Sequence, residues 1–196
     1  MPEQFFLPGL QPAPRPTDRL FYAVFPAPDA AARIAAFAAQ LCASQGLRGR
    51  PLAASRLHVT LHHLGDYLGL PQDLVDHARA AGDAVAMRPF DAEFDAVGSF
   101  AGRRGRHPIV LLGGDGVAGL DMLQRRLCAA LAPAGPARDA AAAAPYTPHV
   151  TLLYGDRTIA ERPIDAVRWR VGEFVLVRSL LGRSRYERLA TWPLAA

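Results

Sequence analysis

The chain has 196 residues, of which 51% are hydrophobic and 20% charged, and a formal net charge of +4. That is the length of one domain with enough apolar content for a core, which excludes a chain disordered throughout. Its 22 basic residues are all Arg, and neither Lys nor Asn occurs; this excludes a Lys Schiff base, a Lys-bearing phosphate loop, a protein-kinase lysine and an N-glycosylation site.

Residues 1–18 read as a loose, Pro-punctuated arm with no apolar run of signal length. Arg19–Phe25 is rich in aromatic and β-prone residues and predicts a first strand. Pro28–Leu47 is Ala-rich with Asp29 in its first turn and predicts a helix. Arg56–Leu64 predicts a strand ending at Gly65, and Pro71–Met87 a second helix. Phe90–Phe100 alternates as a strand does. A Gly/Arg loop with Arg103, Arg104 and Arg106 leads to a strand at Ile109–Leu112. Val117–Leu131 predicts a third helix and Pro133–Ala144 a Pro/Ala linker. Strands follow at Tyr146–Tyr154, Arg168–Leu180 and Tyr186–Leu194. No segment approaches the roughly 20 apolar residues that cross a bilayer. Cys42 and Cys128 stand apart, with no C-x-x-C and no zinc-type pairing. The expectation is a cytoplasmic protein with no membrane partner.

One order occurs twice. A strand, a helix and a strand bearing His-Val-Thr-Leu appear at Phe21–Leu61 and again at Ile109–Leu152. An alternating strand with Glu-Phe lies beyond each, at Glu93-Phe94 and Glu173-Phe174. This predicts a duplicated α+β unit packed as two lobes about a pseudo-twofold axis, with equivalent strands facing each other across a cleft.

On a strand, side chains alternate between faces. His58 and Thr60 therefore share one face, with Val59 and Leu61 on the other. His149 and Thr151 stand likewise against Val150 and Leu152. Two imidazoles suit acid–base work, one neutral and one protonated. Each Thr hydroxyl can donate to an anionic oxygen. Together they compose a site for one phosphate. By the same alternation His62 joins the face of His58, and His63 faces away. A metal at His58, His62 and His63 is the weaker reading. The H-x-x-x-H spacing suits zinc on a helix, whereas Val59 and Thr60 favour a strand. The basic cluster Arg103, Arg104 and Arg106 reads as a solvated face or as an electrostatic contact to an RNA backbone. His77 and His107 have no partner pattern.

From Arg19 to Leu194 the sequence resembles the two-histidine (2H) phosphoesterase superfamily, within it the RNA 2′,3′-cyclic phosphodiesterases also called 2′-5′ RNA ligases. The resemblance rests on RLFYAVFP, RLHVTLHHLGD, YTPHVTLLYG and the ending EFVLVRS…YERLATWPL. It implies an α+β, bilobal fold over residues 19–196, with an antiparallel sheet in each lobe and the active site between them. It implies hydrolysis of a 2′,3′-cyclic phosphate, at RNA ends or on nucleotides, to a 2′-phosphate, with 2′-5′ ligation as the reverse of opening a 2′-5′ bond to a cyclic phosphate. It implies no metal, no cofactor and no obligate protein partner. In the family the first-motif His donates the proton and the second-motif His accepts one; those roles fall on His58 and His149, with Thr60 and Thr151 holding the phosphate. Many relatives carry Arg five residues after the second His, where Tyr154 stands here. Two rival readings are a phosphoesterase acting on a non-RNA cyclic phosphate and a non-catalytic RNA-binding module.

Overall fold

The computed structural model describes residues 14–132 and 146–195. Most of the N-terminal arm, residues 1–13, and the linker at Pro133–Ala144 lie outside the described residues. The chain order is β1 (Asp18–Val24), α1 (Pro28–Gln45), β2 (Val59–Tyr67), α2 (Gln72–Asp83), β3 (Phe90–Ser99), β4 (His107–Leu112), α3 (Ala118–Leu131), β5 (His149–Gly155), β6 (Arg162–Val171), β7 (Glu173–Leu180) and β8 (Arg185–Pro193). The sheet begins at Asp18 rather than Arg19. Thr17 is already tied in: its N–H donates to the Tyr67 carbonyl, and its own carbonyl accepts from Leu181, each at 2.8 Å.

α1 starts on Pro28, whose missing N–H costs nothing in a first turn. It stops at Gly46, which adopts the left-handed conformation (φ 57°) that glycine reaches without strain. The N–H groups of Gly46 and Leu47 close the helix end on the carbonyls of Ala43 and Cys42. No helix among the described residues is long and apolar enough to cross a membrane.

The fold is α+β, with one antiparallel sheet of eight strands in the order β6-β3-β4-β5-β2-β1-β7-β8. The separate sheet expected for each lobe is thus not what forms. The two HVTL strands are neighbours in one sheet, not strands facing each other across a gap, because β2 and β5 pair at Val59 and Val150. The sheet has two four-stranded halves on either side of that junction. Each Glu-Phe strand joins the half that does not contain its own HVTL strand: β3 pairs with β4, and β7 with β1.

The strand expected at Arg168–Leu180 is two strands broken at Gly172. β6 pairs with β3 and β7 with β1, so the chain passes between halves at that glycine. The burial pattern marks the change. Residues 168–171 alternate exposed and buried, whereas Phe174, Val175, Leu176 and Val177 are buried on both faces.

One main core gathers residues of both halves beneath the helices, including Tyr22, Val59, Leu61, Phe94, Leu111, Val150, Leu152, Trp169 and Phe174. Val59, Leu61, Val150 and Leu152 are essentially sealed from water. Burying side chains of this size contributes about 1.5–3 kcal/mol each, which fixes the face that both HVTL strands turn inward. A second, smaller cluster of Phe21, Ala23, Val175 and Val177 lies apart from this core, packed with Phe25 and Tyr186.

Candidate active site

His58, Thr60, His149 and Thr151 all line one cleft of about 670 Å³. The antiparallel register about Val59 and Val150 sets His58 beside Thr151 and Thr60 beside His149. Each imidazole thus has the hydroxyl of the other motif as its lateral neighbour.

The two histidines are held alike. His58 Nδ1 lies 2.7 Å from the carbonyl of Arg56, and His149 Nδ1 lies 2.8 Å from the carbonyl of Thr147. A carbonyl accepts and never donates, so each Nδ1 carries the hydrogen. Nε2 is left as the nitrogen available to a substrate on both rings. Aromatic rings pack the imidazoles. Phe21 and Tyr186 lie 5.1 and 5.5 Å from His58, and Phe100 meets His149 edge-on at 4.9 Å. Burial pushes His58 down to about 4, against the pull of the Arg56 carbonyl, with His149 and the Arg56 charge adding to the fall. Burial likewise lowers His149, opposed by the Thr147 carbonyl.

Strict alternation misplaces the next residues. In β2, Ala23 pairs with Thr60 but Tyr22 with His62, so Leu61 is an extra residue in its strand. In β5, Val110 pairs with Thr151 but Ile109 with Leu153, so Leu152 is extra. The same Leu of both HVTL strings is a β-bulge, which turns two consecutive residues to one face and shifts the phase beyond it. His62 therefore turns to the helices, its Nδ1 3.4 Å from Cys128 Sγ on α3, and His63 lines the cleft. This reverses the expectation for that pair and separates His62 from His58. Among the described residues no three His, Cys, Asp or Glu side chains group as metal ligands would. In β5 the bulge brings Tyr154, five residues after His149, into the cleft just as it brings His63, five after His58.

Among the described residues three arginines line the cleft and no carboxylate does. Arg19 is committed elsewhere, forking onto Asp66 at 2.6 and 2.7 Å. That fork, more than the nearby His63, holds the Asp66 carboxyl at about 2. Arg56 and Arg106 have no acidic partner among the described residues. Arg56 lies 4.9 Å above the Tyr186 ring and donates to its hydroxyl at 3.2 Å. Arg106 lies 4.7 Å above the Tyr154 ring, so a guanidinium reaches the Tyr154 position from the turn that leads into β4. Arg103 and Arg104 do not line the cleft. His77 reaches the Leu131 carbonyl at 3.2 Å and His107 begins β4; neither joins the site.

The sequence reading missed Arg56 and Tyr186. Arg56 ends a 3-10 turn (Ala54–Arg56) ahead of β2, which starts at Val59 and not at Arg56 as expected, so strand alternation does not announce it. Tyr186 comes from β8, and no local pattern announces it.

This fold and this cleft define a two-histidine phosphoesterase, a class acting on phosphodiester bonds. The chain belongs to the 2′-5′ RNA ligase superfamily, whose sequence profile matches residues 23–183. Escherichia coli LigT complexed with 3′-AMP is 26% identical, with 92% of this chain and 99% of LigT covered and a TM-score of 0.72. LigT complexed with phosphate is 25% identical over 93% and 100% of the two chains, at a TM-score of 0.70. TT0787 of Thermus thermophilus is 26% identical over 90% and 97%, at 0.69. No curated protein sequence gives a significant match.

Proposed function

We propose that residues 19–196 form a single phosphoesterase domain that opens 2′,3′-cyclic phosphates, at RNA ends or on nucleotides, to 2′-phosphates. The observation that carries this reading is the matched pair of Nδ1–carbonyl bonds at His58 and His149. They present two Nε2 atoms to one cleft whose lining, among the described residues, holds Arg and Thr but no carboxylate.

In the proposed reaction His149 Nε2 takes a proton from water. The water oxygen forms the new bond to phosphorus, the bond from phosphorus to the 3′ oxygen breaks, and His58 Nε2–H gives that oxygen its proton. The Thr60 and Thr151 hydroxyls donate to the non-bridging oxygens, where negative charge builds in the transition state. Arg56 supplies a cation without a competing carboxylate. His58 must be charged to donate, and its burial opposes that; an anion seated beside it raises its proton affinity, so substrate binding recruits the acid. Ligation through a 2′-5′ bond is the same ring-opening path with an RNA 5′ hydroxyl in place of water, and is the reverse of opening a 2′-5′ bond to a cyclic phosphate. LigT has been captured with phosphate and with 3′-AMP, an anion and a nucleotide, which is the ligand chemistry proposed here.

The two halves of the sheet support a reading as a duplicated, pseudo-twofold unit, with one acid–base group from each. The test is hydrolysis of cyclic-phosphate-ended oligoribonucleotides and 2′,3′-cyclic nucleotides in the presence of EDTA, with the product isomer identified by phosphorus NMR. A 2′-phosphate product with EDTA present is expected. A 3′-phosphate product, or loss of activity restored by zinc, overturns the mechanism.

A further inference from the structure

The arginine loop and Tyr154 are not used by the chemistry proposed above. Tyr154 is a large side chain left 42% exposed at the edge of a cleft, where an aromatic ring gains nothing by facing water. The bulge at Leu152 is what turns it there. Arg103 and Arg106 bridge across a tight turn closed by Gly105 (φ 73°), which gathers Arg103, Arg104 and Arg106 in one short loop whose Arg106 lies on the ring. None of these three has a carboxylate within ion-pair distance among the described residues, whereas Arg19, Arg168, Arg170 and Arg178 each do.

We propose that Tyr154 with the Arg103–Arg106 loop is a platform for single-stranded RNA. The substrate class of the site is then an RNA chain bearing the cyclic end, not a free cyclic mononucleotide. This rests on the function proposed above and names its substrate. A cyclic mononucleotide carries one negative charge, which Arg56 and the two Thr hydroxyls already meet beside the imidazoles. Three further unpaired guanidiniums at the rim match additional phosphates, and a cyclic mononucleotide has none. Arg106 stacked at 4.7 Å on Tyr154 offers a planar cation backed by an aromatic ring. Bases stack on such surfaces without regard to sequence. The nucleotide preceding the terminal one occupies this stack, and the backbone phosphates on its 5′ side lie against Arg103 and Arg104. The platform is continuous with the cleft because Arg106 and Tyr154 also line it.

The experiment compares kcat/KM for adenosine 2′,3′-cyclic phosphate with that for a short oligoribonucleotide ending in the same group. The oligomer is expected to be preferred. Tyr154→Ala should cut the oligomer-to-mononucleotide ratio by about 5- to 100-fold, the scale of one lost base stack, and Tyr154→Phe should restore it. Arg103→Gln and Arg104→Gln should each flatten the fall of log kcat/KM with log salt on the oligomer by about 0.7. Equal use of both substrates by the unaltered protein overturns the proposal, as does a ratio unmoved in Tyr154→Ala. If neither substrate is opened, the proposed function fails and the platform is read separately, from fluorescence anisotropy of a labelled oligoribonucleotide ending in a 2′-phosphate. Binding weakened by Tyr154→Ala by the same factor upholds it, and unchanged binding sinks it.

Discussion

Val59 and Val150 are backbone partners, the one position at which β2 and β5 are paired among the described residues. Through that pair each imidazole stands beside the hydroxyl of the other motif. Thr60→Val and Thr151→Val keep the β-branched shape and remove one donor. Each should lower kcat by about 10²- to 10³-fold on a cyclic phosphate, the scale of one donor lost from a developing oxyanion. Unchanged kcat in both variants would show that the hydroxyls do not reach the phosphate.

His58→Ala and His149→Ala should each abolish most hydrolysis, and the double variant should be little worse, because the residues act as a unit. A substrate whose leaving group needs no proton separates the roles. On it His58→Ala should recover much of its rate and His149→Ala should not. Rescue of His149→Ala instead would exchange acid and base.

The pH dependence follows from the lowered histidines. The active pair carries one proton. Above both apparent pKa values the acid is lost, and below both the base is lost. With His58 near 4 and His149 below its ordinary 6.5, kcat/KM should be bell-shaped, with its maximum on the acid side of 6.5. The limbs belong to the pair, not to either ring. The same shift bears on stability. The unfolded chain takes a proton near 6.5 that folded His58 refuses until about 4. Stability should therefore fall as pH drops through that window, by about 3 kcal/mol from this group. His58→Phe should flatten that part of the curve in urea titrations. An alkaline maximum in kcat/KM would contradict the first expectation, and an unaltered pH slope in His58→Phe the second.

Asp18 is 2% exposed and paired with Arg178 at 2.5 Å, beside a hydrogen bond of the same length from Thr17. Removing the guanidinium strands a carboxylate at the β1–β7 pairing. Arg178→Ala should destabilise the fold by about 3 kcal/mol, read from the midpoint of a denaturant titration. Asp18→Asn in the same background should recover part of the loss, since the stranded charge is then gone.

Much of this site is legible in the chain. The repeated HVTL string, its apolar partners and the strand–helix–strand order before it locate both histidines and both threonines. What hides the rest is specific. Period-two reasoning assumes an unbroken strand, and the bulges at Leu61 and Leu152 break it just past each Thr, which exchanges His62 with His63 and brings in Tyr154. The division at Gly172 is hidden because RWRV and FVLV both read as strand, and only pairing shows that they serve different halves. Tyr186 and Arg106 meet His58 and Tyr154 through partners distant in sequence, a consequence of topology that no local pattern contains.

The exchange of the Glu-Phe strands has a consequence for how the protein comes apart. β3 follows the first HVTL strand in the chain yet is held by β4 and β6, and β7 follows the second yet is held by β1 and β8. A break anywhere between β3 and β4 leaves one fragment with a strand that has lost both neighbours and the other with β7 stripped of its inner one. One half, β3 to β6, is a contiguous stretch from Phe90 to Val171, inserted into the other, whose β1–β2 and β7–β8 come from the two sides of that stretch. Because one core is shared by both halves, melting should be a single cooperative event, and two fragments cut at the arginine loop, inside the contiguous half, should regain order by finding each other and not by folding alone.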